Sequence, residues 1–271
     1  MANQASPQPV VPPREMSHVV VPISGIRSPS PRSQLLYEIT SGLSGLILAL
    51  FMWGHMLMVG SILTGARGFD FVAKALEDFY IAQPTVVVIS MLFVIHAVMA
   101  SRKIPAQLRD RKRLRKLAAG LKQPSSSASG RVVPFKPHLE SMLWIWQVRT
   151  GMVVLLLGSF HLVLVTLDSL TGLFGERVGI EAASTVERVG SGLWILYGFL
   201  LVCVEFHASV GLYRLAVKWG VGSRISRKTL WRLERVIFWV FLGLGLLTLV
   251  VLAGWAPAPL AYLLEASTWN E

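Results

Sequence analysis

Four of the six histidines in this chain sit inside long apolar stretches: His55 in "FMWGHMLMVG", His96 in "LFVIHAVMAS", His161 in "LLGSFHLVLV" and His207 in "VEFHASVGLY". An imidazole is costly among apolar side chains unless its nitrogens find strong partners, and metal ligation supplies one. A second concentration of polar chemistry surrounds His207. The run "LLVCVEFHASVGLYRLAVKWG" is apolar enough for a bilayer, yet carries Glu205, Arg214 and Lys218 as well. His18 and His138 lie in polar segments and are assigned nothing.

The elements that must position these residues are membrane helices. The chain has 271 residues, of which 53% are hydrophobic and only 15% charged, against about 25% charged for ordinary soluble domains. Its mean hydropathy is +0.57. Five apolar spans approach the ~20 residues that a bilayer core requires. They run from Leu35 to Leu63, Pro84 to Ser101, Met142 to Leu167, Gly192 to Val217 and Val236 to Gly254. The net charge of +11 is not a nucleic-acid signature, because the basic residues cluster in segments before or between spans. Lys and Arg crowd residues 102–136 and 218–235, whereas the alternate loops hold only Arg67, Lys74, Arg177 and Arg188. By the positive-inside rule the N-terminus lies inside and the C-terminus outside.

Each of the first four spans carries one of the four histidines, in its second half. Since successive helices run in opposite directions, His55 and His161 lie toward the outer face, and His96 and His207 toward the inner face. At 1.5 Å per residue all stand roughly 7–15 Å from the nearer helix end. Two pairs at two depths are expected, and a pair of neutral imidazoles facing each other across a bundle suits a six-coordinate haem iron. Gly54, Gly158, Gly211 and Ala100 lie close by, leaving the gaps a flat macrocycle needs. Arg214 and Lys218 follow His207 by seven and eleven residues and return to its helical face, nearer the cytoplasm. They suit haem propionates, or simply mark a snorkelling helix end. Glu205, two residues from His207, points about 200° around the helix. A carboxyl there either stays neutral or takes part in a proton path.

The rest of the chain frames this domain. Residues 1–34 are rich in Pro and Ser, lack the apolar core of a signal peptide, and read as a mobile cytoplasmic tail. Residues 35–256 form the five-helix transmembrane domain, interrupted by a basic cytoplasmic loop at 102–137, and 257–271 form an outer-side C-terminal segment. Within the loop, "AQLRDRKRLRKLAAGLK" could form a basic surface helix, touching anionic lipids or an acidic partner, or simply solvated. "QPSSSASG" is a flexible linker by composition. The single cysteine, Cys203, excludes an intrachain disulfide, and without a CxxCH motif any haem is held non-covalently.

With these residues in view, the chain resembles the di-haem cytochrome b anchor of quinol:fumarate reductase, in the succinate dehydrogenase/fumarate reductase superfamily. The likeness is to the epsilonproteobacterial type, with five spans and two haems on one polypeptide. It runs from about Thr40 to Leu249 and rests on "VEFHASVGLYRLAVKWG", "FMWGHMLMVGSIL", "WIWQVRTG" and "LGSFHLVLV". The resemblance implies that His96 and His207 bind the proximal haem b and His55 and His161 the distal one. It implies that Glu77, with Asp78 as the adjacent acid, takes part in menaquinol oxidation, and that Glu205 serves a compensating proton path. Trp144 and Lys218 match propionate contacts, with Arg214 a further candidate, and Arg188 matches a distal-haem arginine across a one-residue gap. The family's Gln-Ser pair early in the first helix is replaced here by Ser41 and Gly42. The partners implied are an iron–sulfur subunit and an FAD-containing flavoprotein, in a bacterial inner membrane with the bulk of the complex in the cytoplasm. Membrane lipids surround the spans, and a dimer of heterotrimers is one expected assembly.

Rival readings stay open at this stage. A menaquinone-reducing succinate dehydrogenase anchor has the same architecture run in reverse. Hydrogenase and formate dehydrogenase anchors typically place two haem ligands on one helix, and no helix here carries two. A haem-free transporter would use the histidines and Glu205 as a proton relay.

Overall fold

A computed structural model describes residues 30–105, 108–109, 112–113, 139–175 and 178–265. The N-terminal tail up to residue 29, most of the basic loop and residues 266–271 lie outside the described residues. So do His18, His138, the linker and most of the expected surface helix.

Helix α1 covers Pro31–Gly60. Ser30 caps it, accepting a hydrogen bond from the Ser33 backbone N–H (3.2 Å), and Pro31 occupies a position where no N–H is needed. A short 3-10 turn, Ser61–Thr64, and Gly65 at φ +93° redirect the chain into α2, Ala66–Asp78. Helix α3 is Ala82–Ser101 and α4 is Leu139–Thr171. Helix α5, Ala182–Arg188, continues through a π-type turn at Val189–Leu193, kinked at Gly192 (φ +103°), into α6, Trp194–Lys218. Helix α7, Arg227–Leu252, is capped by Ser226, whose hydroxyl accepts from the Thr229 N–H at 3.1 Å. A last turn, α8, spans Tyr262–Glu265.

Five helical stretches are long and apolar enough to cross a membrane: Pro31–Thr64, Ala82–Ser101, Ser141–Thr171, Ala182–Lys218 and Arg227–Leu252. Large apolar side chains such as Val87, Leu156, Phe199 and Trp239 point outward, as the lipid-facing surface of a spanning bundle requires. Several boundaries differ from the sequence expectation. The fifth helix starts at Arg227 rather than Val236, because its first turns are charged and the Ser226 cap, not hydropathy, sets the start. The fourth extends back to Ala182 through a polar half-helix that a hydropathy reading stops at Gly192.

Helices α1 and α6 form the centre of the bundle. Helix α3 packs on α1, α4 packs on α6, and α7 packs on both central helices. Glu38 near the start of α1, Lys103 just beyond α3 and Lys218 at the end of α6 meet at one end, hereafter the basic end. The opposite end is closed by an apolar core of Ile62, Phe69, Ala73, Ala182, Val189 and Leu252, which binds α2 and α5 to α1 and α7. Between the four histidine-bearing helices lies the space that the site occupies.

Candidate functional site: two histidine pairs in one cavity

The histidines meet as two pairs, each across a diagonal of the bundle. His55 of α1 faces His161 of α4 with ring centroids 6.2 Å apart and planes at 59°. His96 of α3 faces His207 of α6, also at 6.2 Å, with planes at 85°. Two metal–nitrogen bonds of about 2 Å, plus the half-ring on each side, sum to roughly that separation. Among the described residues no cluster of three or more His, Cys, Asp or Glu side chains could hold a bare metal ion. Two axial nitrogens with no further protein donor suit a metal whose equatorial positions are filled by a macrocycle.

The pair nearer the basic end is held by backbone. His96 Nδ1 donates to the Ser41 carbonyl at 3.0 Å, and His207 Nδ1 donates to the Gln147 carbonyl at 2.9 Å. The Ser44 hydroxyl lies 3.3 Å from His96 Nδ1 and donates to the Thr40 carbonyl at 2.6 Å. Placing the proton on Nδ1 leaves Nε2 as the ligating atom on both rings. Each imidazole also rests on a glycine. A Cβ built on Gly45 would lie 2.8 Å from His96 Cε1, and one on Gly151 would lie 2.7 Å from His207 Cε1. Only hydrogen fits at either position.

The other pair has an aromatic surround. Phe51 stacks on His55 (5.7 Å), and Tyr197 meets His161 edge-on (5.4 Å). His161 Nδ1 and the Tyr197 hydroxyl are buried without a geometric hydrogen-bond partner. Polar atoms stranded in this way favour a site completed by a further group.

One cavity of about 1400 Å³ joins both pairs. That exceeds the roughly 300–1,000 Å³ of a pocket for one drug-sized ligand. Gly42, Gly45, Gly54, Gly151, Gly158 and Gly211 line it, and a Cβ on Gly54 would meet nothing within 4 Å. The residues present therefore fit flat macrocycles held by the two pairs.

At the basic end the wall contains Glu38, Lys103, Trp144, Arg214 and Lys218. Glu38 Oε2 accepts from Lys218 Nζ and lies 3.2 Å from Lys103 Nζ. Arg214 donates to the Gln147 side-chain carbonyl, so Gln147 links the basic end to the His207 ring through its own backbone. At the far end Arg188 lines the cavity, almost fully buried, and donates to Asp168 and to Thr185 Oγ1 (3.2 Å). Its Nε is buried without a partner. Asp168 is itself buried and accepts from the Phe174 N–H at 2.8 Å.

Glu205 is 0% exposed, and neither carboxyl oxygen has a geometric hydrogen-bond partner. It is not part of the cavity wall; the Trp53 indole of α1, stacked on Phe241 of α7, faces it. The helical-wheel expectation that it turns away from the His207 site matches this placement. Glu77 and Asp78 part company on α2. Glu77 Oε1 accepts the Ile180 N–H at 2.9 Å, while exposed Asp78 pairs with Lys74 at 3.0 Å. Glu77 stands outside the cavity wall, but its neighbour Leu76 and its partner Ile180 belong to it.

Residues 122–255 match the model of the succinate dehydrogenase/fumarate reductase transmembrane subunit family. The chain is 35% identical over 213 residues to the fumarate reductase cytochrome b subunit of Helicobacter pylori, covering 74% of each chain. The chain belongs to this family. It is also 34% identical over 223 residues to the fumarate reductase cytochrome b subunit of Wolinella succinogenes, covering 76% of each. The family-model match contains His161, His207, Glu205, Arg188, Arg214 and Lys218, while His55 and His96 lie upstream of it.

Several residues beside the two pairs carry little or no signal in the sequence. Gln147, and Ser41, singled out there only as a departure from the family's pattern, act through backbone carbonyls, which no side-chain pattern reveals. Gly45 and Gly151 left a readable trace: each lies ten residues before the histidine on its own helix. Asp168 and Tyr197 gave no signal beyond being polar groups in apolar spans.

Proposed function

We propose that this chain is the cytochrome b subunit of a quinol:fumarate reductase. It anchors an iron–sulfur subunit and an FAD-containing flavoprotein to the membrane and holds two haems b. The observation that carries this reading is the meeting of four histidines from four helices as two pairs, each 6.2 Å apart, in one cavity.

In this reading His96 and His207 hold the iron nearer the basic end, and His55 and His161 hold the other. Bound there, the two haems supply one-electron transfer across the bilayer between a menaquinol and the iron–sulfur partner. The chain's own residues position and neutralise. The Ser41 and Gln147 carbonyls orient two ligands, Lys218, Arg214 and Trp144 face the propionates at the basic end, and Arg188 faces those at the far end. Positive-inside bias places the basic end in the cytoplasm and the α2–α5 end outside, in a bacterial inner membrane. There Glu77, beside the cavity, receives a proton from menaquinol, and Glu205 returns protons through the bundle. The dicarboxylate site belongs to the flavoprotein. The same architecture running in reverse would serve a menaquinone-reducing succinate dehydrogenase, which the family description also covers.

The test uses the purified three-subunit complex. His96→Ala should abolish fumarate reduction driven by a menaquinol analogue, while reduction driven by a reduced viologen dye through the soluble subunits persists. Quinol-driven turnover that survives this substitution would refute the assignment.

A further inference from the structure

The basic end carries a charge arrangement beyond the contacts assigned so far. Three cations, Lys103, Lys218 and Arg214, line the cavity there with one carboxylate, Glu38. Lys103 follows His96 by seven residues, and Arg214 follows His207 by the same seven. Two helical turns bring Arg214 back over His207, while the turn that ends α3 carries Lys103 to the cavity mouth on the His96 side. Glu38 holds the two lysines: its Oε2 accepts from Lys218 Nζ and sits 3.2 Å from Lys103 Nζ. Lys103 is the less exposed lysine, its side chain 20% accessible against 53% for Lys218. Among the described residues that line the cavity at this end, cations outnumber carboxylates, the balance that an anionic haem edge requires.

Resting on the two-haem reading above, we infer that Lys103 and Glu38 are positioning residues for the basic-end haem and set its potential with opposite sign. Lys103 faces a propionate. Glu38 draws both lysines to the cavity mouth and offsets part of their charge.

The charges give the expected signs. Reduction adds an electron to the haem, so a nearby cation favours the ferrous state and a nearby carboxylate disfavours it. Lys103→Met should therefore lower the midpoint of one haem, and Glu38→Gln should raise it. Each should change the ferrous-to-ferric ratio at the wild-type midpoint at least threefold, about 30 mV for a one-electron couple at 59 mV per tenfold. The second haem should not move. Lys103→Arg keeps the charge and should keep the wild-type midpoint.

The experiment is an optical redox titration of the purified complex and these three variants, with haem content measured in each. Opposite shifts of one midpoint, with the other fixed, support the assignment. Shifts of the same sign, or unmoved midpoints with both haems bound, overturn it. If Lys103→Met sheds the haem, the sign of the Glu38→Gln shift decides. A wild-type complex with fewer than two haems would fail at the earlier step and overturn the two-haem reading itself.

Discussion

His55 and His161 stand with ring centroids 6.2 Å apart, the same separation as His96 and His207 at the other end of the cavity. Four helices thus repeat one ring separation at two depths, with the ring planes at 59° in one pair and 85° in the other. Each pair joins helices that are not sequence neighbours, so the bundle must close before either pair exists. His161→Ala should remove one haem and leave the other, halving the haem content of the complex. Haem quantification with low-temperature difference spectra will show this as loss of one b-type component. Retention of both components would break the proposed pairing.

Gly151 is the floor on which His207 rests. Alanine in mid-helix ordinarily stabilises by roughly 0.5–1 kcal/mol over glycine. Here its methyl would lie 2.7 Å from His207 Cε1 and push the ring off its axis. Gly151→Ala should weaken haem retention at the basic end about 10–100-fold, the scale of losing a supporting contact to a ligand. Haem loss to an apo-globin acceptor measures it; an unchanged rate would mean the ring is free to shift.

Asp168 and Arg188 form a buried ion pair beside the far-end site, their side chains 2% and 8% exposed. Removing one partner strands the other charge at a cost of about 3–5 kcal/mol. Asp168→Ala should lower the thermal stability of the solubilised complex markedly and perturb the spectrum of the far-end haem alone. A melting curve superimposable on wild type would show that the pair contributes little to the fold.

Glu205 is a fully buried carboxyl with no geometric hydrogen-bond partner for either oxygen, an arrangement that costs stability. Glu205→Gln conserves shape. It should leave both haems bound while reducing menaquinol-driven fumarate reduction at least tenfold, with viologen-driven reduction intact. Normal quinol-driven turnover would remove Glu205 from the proton path.

Much of this was legible in the chain because lipid imposes strong rules. The spans follow from apolar length, the pairing of depths from the position of each histidine within its span, and the direction of Glu205 from helical pitch. What stayed hidden lies off the hydropathy scale. Helix α2 buries Phe69 and Ala73 but exposes Arg67 and Lys74, so its mixed composition reads as a loop. The first turns of α7 are basic, and only the Ser226 cap marks them. The carbonyls of Ser41 and Gln147 are backbone groups without a sequence signature. Glu38 and Lys103 are joined only once α1 and α3 pack. The ten-residue spacing from glycine to histidine, Gly45 to His55 and Gly151 to His161, was visible all along. Its meaning is not: each glycine serves the histidine of a different helix.

The most direct measurement is a pyridine haemochrome assay with protein determination on the purified complex. Two non-covalent b haems per copy of this chain are expected, one for each histidine pair. A value of one would mean that a pair does not bind haem, and a value of zero would contradict the electron-transfer reading and leave the four histidines to a proton relay.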